Sequence, residues 1–152
     1  MNPTATRQGP NHAAVDLGPT DVWKNLTAEV AAFPGKPVRG KFFLHGALGL
    51  TGMEVSVNSL PAGFSVPFYH THRSHEELYL FLRGQGQIQV DDAVVEVREG
   101  TAVRVGLAGV RTWRNTGDEP LIYLVIQAPE GALAACGTED GLSVDRAVVW
   151  PD

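Results

Sequence analysis

From Lys41 onward the chain is written in short apolar or alternating runs separated by Gly, Pro and Asp. The runs are Lys41–Leu44, Gly52–Leu60, Glu77–Arg83, Gly86–Val90, Ala93–Arg98, Ala102–Val105, Arg111–Asn115 and Leu121–Ala128. Segments of this length and spacing, rich in Val, Ile, Leu, Tyr and Phe, predict an all-β sandwich or barrel. Asp91-Asp92 predicts a hairpin between two of the runs, and Gly117-Asp118-Glu119-Pro120 marks another turn. Before Lys41 the pattern differs. Residues 1–20, rich in Pro, Gly, Asn and Thr, read as a flexible or draped arm. Asp21–Phe33 suits one short helix, capped by Thr20 or Asp21 and ended by Pro34-Gly35. After the last long run, Gly131–Asp152 reads as a loop with a terminal strand over Val144–Trp150. The expected organisation is therefore an N-terminal arm over 1–40, a barrel over 41–128, and an extension over 129–152 packed on the barrel.

Length changes this picture little: 152 residues suit one domain with a real core. Charge excludes more. A net charge of -5 with interspersed acids and bases leaves no basic stripe for a nucleic acid backbone. No apolar run is long enough to span a bilayer, and the opening residues lack an apolar signal core, so cytoplasmic residence is the expectation. The single cysteine, Cys136, cannot form an internal disulfide and reads as an inert loop thiol.

The chemistry concentrates between Gly63 and Gly84, where His70, His72, His75, Glu76 and Glu77 fall within eight residues. Imidazole and carboxylate form the donor set of a borderline divalent metal such as Zn, Fe, Ni or Mn. In a strand His70 and His72 share a face. Glu76 joins them if the chain runs straight, and Glu77 joins them if Arg73–Glu76 turns or bulges, for which Ser74 is suited. The following run, Glu77–Arg83, is apolar on both faces, as expected of a strand between a barrel interior and a second layer. Two histidines and one carboxylate leave coordination positions open, which favours catalysis over a closed structural site. His75 reads as an exposed turn residue.

Gly63, His70, His72, Glu77 and Gly84 resemble the first motif of the cupin superfamily, with one extra residue between Gly63 and His70. The six-residue gap from Glu77 to Gly84 then selects Glu77 over Glu76. The resemblance spans about Lys41 to Ala128 and implies a double-stranded β-helix, or jelly-roll barrel. The family's second motif is degraded. Gly100 and Asn115 stand at its ends, but Gly106, Ala108 and Arg111 occupy the proline, glycine and histidine positions. The fourth protein ligand is thus replaced by a permanently charged guanidinium that repels a cation. Three outcomes are open: Arg111 pairs a substrate carboxylate or phosphate beside a three-ligand metal, Arg111 pairs Glu77 in a metal-free pocket, or Arg111 points to solvent. Arg104 and Arg114 read as surface charges.

Strand parity nominates further ligand-binding positions. Tyr79 and Phe81 share the face of Glu77, Met53 alternates with Val55 and Val57, and Trp113 shares the parity of Arg111. The resemblance implies a small cupin that binds a divalent metal at His70, His72 and Glu77 and an organic molecule, anionic if Arg111 orients it. Dioxygenases, isomerases, epimerases and decarboxylases are among its relatives. The competing class is a metal-free binding or sensing module. Exposed strand edges and the N-terminal arm suit a homodimer.

Overall fold

The computed structural model describes residues 2–134 and 137–150, so Cys136 lies outside the described residues. Twelve strands follow in chain order: β1 (Arg7–Gly9), β2 (His12–Ala14), β3 (Thr27–Ala28), β4 (Val38–Arg39), β5 (Lys41–Phe43), β6 (Glu54–Leu60), β7 (His75–Arg83), β8 (Gln85–Val90), β9 (Ala93–Arg98), β10 (Ala102–Val105), β11 (Arg111–Asn115) and β12 (Leu121–Pro129). Antiparallel pairing joins β10-β7-β12-β6-β5 into one sheet and β11-β8-β9 into another. The stretch from Phe64 to His70 extends the smaller sheet alongside β11, through bridges Ser65–Arg114 and His70–Arg111. The two sheets face each other as the expected jelly roll.

Each alternating run delivers one face to the space between the sheets. Tyr79, Phe81, Leu121, Tyr123 and Val125 of the larger sheet meet Ile88, Val97 and Trp113 of the smaller one. A second apolar layer covers the outer face of the larger sheet, where Trp23 and Leu26 pack on Val57 and Ile122, with Leu82 and Leu124 alongside. This explains why β7 and β12 are apolar on both faces. Gly84 turns the chain from one sheet into the other at φ +84°, and a Cβ there would stand 2.8 Å from the Pro120 carbonyl oxygen. Only glycine meets both demands without strain.

Three sequence expectations are corrected. The helix expected over Asp21–Phe33 is a short 3-10 helix, Thr20–Asn25. Leu26 then adopts an extended backbone, because burying Trp23 and Leu26 on the sheet decides this segment more strongly than helix propensity. The arm over residues 1–20 carries a small hairpin, β1 with β2, rather than remaining without structure. Val144–Trp150 forms no strand and finds no sheet partner, and every described residue from 131 to 150 is exposed, so this stretch does not pack on the barrel. A one-turn helix, α1 (His45–Leu48), closed by Gly49 in the left-handed conformation, had no counterpart in the sequence reading.

Candidate functional site

His70 is positioned by backbone hydrogen bonds in both directions with Arg111: His70 N–H donates to the Arg111 carbonyl at 3.2 Å and Arg111 N–H to the His70 carbonyl at 3.1 Å. Residues 70 and 111 are therefore direct neighbours across a ladder, with their side chains on one face. A bend at Arg73-Ser74 precedes β7 and restores the parity that brings Glu77 inward. Glu76 consequently faces outward and pairs with Arg104, which also bonds Glu130 at 3.0 Å. His75 opens β7 away from the site, its ring beside Ser74 Oγ.

The ligand atoms of His70, His72 and Glu77 lie within 4.8 Å of one another. His72 Nε2 is 2.9 Å from Glu77 Oε1, yet neither it nor His70 Nδ1 has an aligned hydrogen-bond partner, although both atoms are buried. Buried polar atoms are seldom left unpaired. Burial, and then the nearby Arg111 guanidinium, lower the His70 pKa to about 4, so its ring is neutral and carries a free lone pair at neutral pH. An orphaned His72 nitrogen beside the carboxylate, with His70 Nε2 3.9 Å from Glu77 Oε2, fits a divalent cation.

Glu77 is held ionised by its other oxygen. Burial alone raises a carboxyl pKa, but bonds from Tyr79 and Arg111 outweigh it and leave Glu77 below the usual carboxylate value. Oε2 accepts from Tyr79 OH at 2.7 Å, Arg111 Nη2 at 2.7 Å and Arg111 Nε at 3.0 Å. Arg111 Nη1 donates to the Gly109 carbonyl at 2.8 Å. The guanidinium is 0% exposed, which rules out the solvent-facing outcome. It presents no free face to a ligand. Its role is to hold Glu77, as outer groups hold a metal-ligating carboxylate.

Beside this cluster lies an apolar cavity of about 390 Å³, lined by Phe33, Phe64, Phe68, Trp113 and Tyr123, with Lys41 and Asn58 among its few polar groups. Phe68 and Trp113 form the shared wall, with ring centroids 5.7 and 6.0 Å from that of His70. Trp113 thus stands where strand parity put it, with its indole N–H donating to Tyr123 OH at 2.7 Å. Tyr79 touches both Glu77 and Trp113. Four nominated positions do not line the cavity: Arg111 and Tyr79 belong to the Glu77 cluster, and Phe81 and Met53 lie elsewhere. Phe81 is fully buried in the core against Tyr123, beyond reach of a ligand. Met53 is 48% exposed and precedes β6.

The reason for the Met53 error is the facing of β6. Val57 packs outward on the Trp23 layer, whereas Ser56 and Asn58 point inward, so the polar residues, not the valines, belong to the interior. A one-residue shift of parity exchanges the faces completely. Lys41, in the adjacent β5, was missed for the same reason: its Nζ donates to Ser56 Oγ at 3.1 Å and to Asn58 Oδ1 at 2.9 Å. Polar Ser56 and Asn58 alternating beside an inward lysine was the signal available in the sequence.

Two facing antiparallel sheets carrying a His-x-His pair and a glutamate on their inner face define a small β-barrel with a metal-type donor set. The family model described as Cupin domain matches residues 56–127. Among solved structures, a cupin protein from Bacteroides fragilis is 39% identical, with 68% of this chain and 88% of that chain covered and a TM-score of 0.66. A protein from Photorhabdus luminescens, 16% identical over 59% of this chain and 74% of its own with a TM-score of 0.54, shares the fold alone. No curated protein matches. The chain belongs to the cupin superfamily. Among the described residues no helix is long and apolar enough to cross a membrane.

Proposed function

We propose that this cupin holds a divalent cation at His70, His72 and Glu77 and acts on a small anionic organic molecule in the adjoining cavity. The observation carrying this reading is the convergence of His70 and His72 on an ionised Glu77, with the buried His72 Nε2 unpartnered 2.9 Å from Glu77 Oε1. Zn, Fe, Ni and Mn are the candidates by donor set. With three protein ligands, such an ion supplies a Lewis acid with open positions for a substrate oxygen. Around it the chain's own groups divide the work. Arg111 and Tyr79 fix the far oxygen of Glu77, while Phe68 and Trp113, packed on the His70 ring, join the polar cluster to the apolar cavity. Elemental analysis after reconstitution with each metal tests the reading. Stoichiometric metal in the native chain and none in His70→Ala/His72→Ala supports it, and absence of metal from the native chain sinks it.

The bond between Arg111 and Glu77 favours a second reading, a metal-free binding or sensing module. It places a fixed positive charge against the carboxylate that a cation would need. Ligand binding that persists unchanged in the metal-stripped protein and in His70→Ala/His72→Ala would select this reading.

A further inference from the structure

The cavity has a charge pattern of its own. Its lining includes two cations, Lys41 and Arg39, and no acidic side chain. Lys41 makes no ion pair among the described residues. Its ammonium donates to neutral oxygens, Ser56 Oγ and Asn58 Oδ1, and lies over the Phe43 ring, 4.8 Å from its centroid. Lys41 is half-buried, and a cation drawn partly out of water normally has an anionic partner, because removing charge from water without one is costly. Burial is accordingly the main influence on Lys41, lowering its pKa to about 8 against the opposing pull of Glu77 and Glu54. Most of the remaining lining is aromatic or aliphatic: Val30, Phe33, Phe64, Val66, Phe68 and Trp113. Phe33 meets Phe68 edge to face, with centroids 5.7 Å apart, and extends the aromatic wall.

We propose that the cavity is a binding site for a small aromatic monocarboxylate, whose carboxylate pairs with Lys41 beside Asn58 while its ring lies against Phe33, Phe68 and Trp113. A volume of about 390 Å³ falls within the range of about 300–1,000 Å³ typical of small-molecule sites. The apolar walls exclude water from the ion pair, which strengthens it relative to a surface pair. This deepens the function proposed above by naming the class of anion, and requires no metal at the neighbouring cluster.

The test uses protein treated with a chelator at pH 7 and three calorimetric probes: 3-phenylpropionate, its neutral amide, and acetate. The acid is expected to bind saturably, the amide at least tenfold more weakly, and acetate not measurably. Lys41→Met is expected to bind acid and amide alike, while Lys41→Arg keeps the preference for the acid. Phe68→Ala, on a different wall, weakens both probes and leaves their ratio unchanged, so it tests the apolar half even if the lysine variants fold poorly. Equal affinity for acid and amide in the native protein, no saturable binding of the acid, or a preference surviving in Lys41→Met would each overturn the proposal. The preference is expected to persist in His70→Ala/His72→Ala. Its loss there would assign the carboxylate to the imidazole cluster and remove Lys41 from the role. This outcome is independent of whether the native chain holds metal.

Discussion

Replacing Arg111 with histidine tests the site most directly, because position 111 lies opposite His70 and its side chain already reaches Glu77. Without metal the substitution removes both guanidinium bonds to Glu77 and the one to the Gly109 carbonyl. Breaking a buried ion pair by deleting one partner costs about 3–5 kcal/mol. For a chain of this size, where about 1 kcal/mol corresponds to roughly 2–4 °C, Arg111→His is expected to melt about 6–20 °C below the native protein. Added metal should reverse the loss. The variant gains a third imidazole beside His70 and loses a fixed positive charge, so its affinity for Zn or Ni should rise at least tenfold, worth about 1.4 kcal/mol. At a metal concentration a thousandfold above Kd, binding to the folded state alone restores about 4 kcal/mol. Scanning fluorimetry with and without metal, paired with competition against a chromophoric chelator, reads both effects. Arg111→Met provides the control, losing stability in the same way without the metal-dependent recovery. Metal affinity in Arg111→His equal to that of the native chain would refute the inference that residue 111 faces the triad.

Tyr79→Phe deletes a buried hydrogen bond to an ionised carboxylate while keeping the ring against Trp113, and should cost about 1.5–3 kcal/mol in urea denaturation. A loss below about 0.5 kcal/mol would show that the Tyr79 hydroxyl does not help hold Glu77 ionised. Lys41 predicts a pH dependence in the opposite sense to an ordinary surface lysine. Its folded pKa, about 8, lies below the ordinary 10.5, so between these values the unfolded chain binds more protons and stability rises with pH. From pH 7.5 to 9.5 the gain attributable to Lys41 is about 2 kcal/mol, at 1.36 kcal/mol per pH unit above its folded pKa. The gain should vanish in Lys41→Met. Buried Tyr79 and Tyr123, both held above the usual tyrosine value chiefly by burial, reverse the slope only when their unfolded counterparts ionise near pH 10. An identical pH slope in native protein and Lys41→Met would show that the ammonium is not buried.

The barrel was legible because its runs alternate at the period of a strand and are punctuated by Gly, Pro and Asp turns. Ala93–Arg98, Ala102–Val105 and Arg111–Asn115 coincide with β9, β10 and β11. His70 and His72 were legible from their spacing, which left Glu76 and Glu77 both open; the likeness to the cupin motif selected Glu77, and the bend before β7 brings it to the histidine face. The helix over Asp21–Phe33 was misread because tertiary burial of Trp23 and Leu26, not local propensity, shapes that segment. Met53 was misassigned because a sheet covered on both faces removes the usual rule that apolar residues point inward. The same ambiguity hid Lys41, whose environment is built by Ser56 and Asn58 from a neighbouring strand and by Phe43 from its own. The pairing of Arg111 with Glu77 was one of three outcomes the sequence left open. The choice among them is made by folding, which brings β7 against the segment holding Gly109 and Arg111.

The ladder between residues 70 and 111 also has a genetic consequence. Both backbone hydrogen bonds of that pair use main-chain groups alone, so any side chain other than proline's can occupy position 111 without disturbing them. Among the arginine codons, CGU and CGC become histidine codons through one base change. An internally neutralised glutamate and a third imidazole, as fourth protein ligand, are therefore neighbouring points in sequence space. A lineage carrying this barrel can pass between an arginine-locked site and a fully liganded one in one mutational step, with no redesign of the strand pairing.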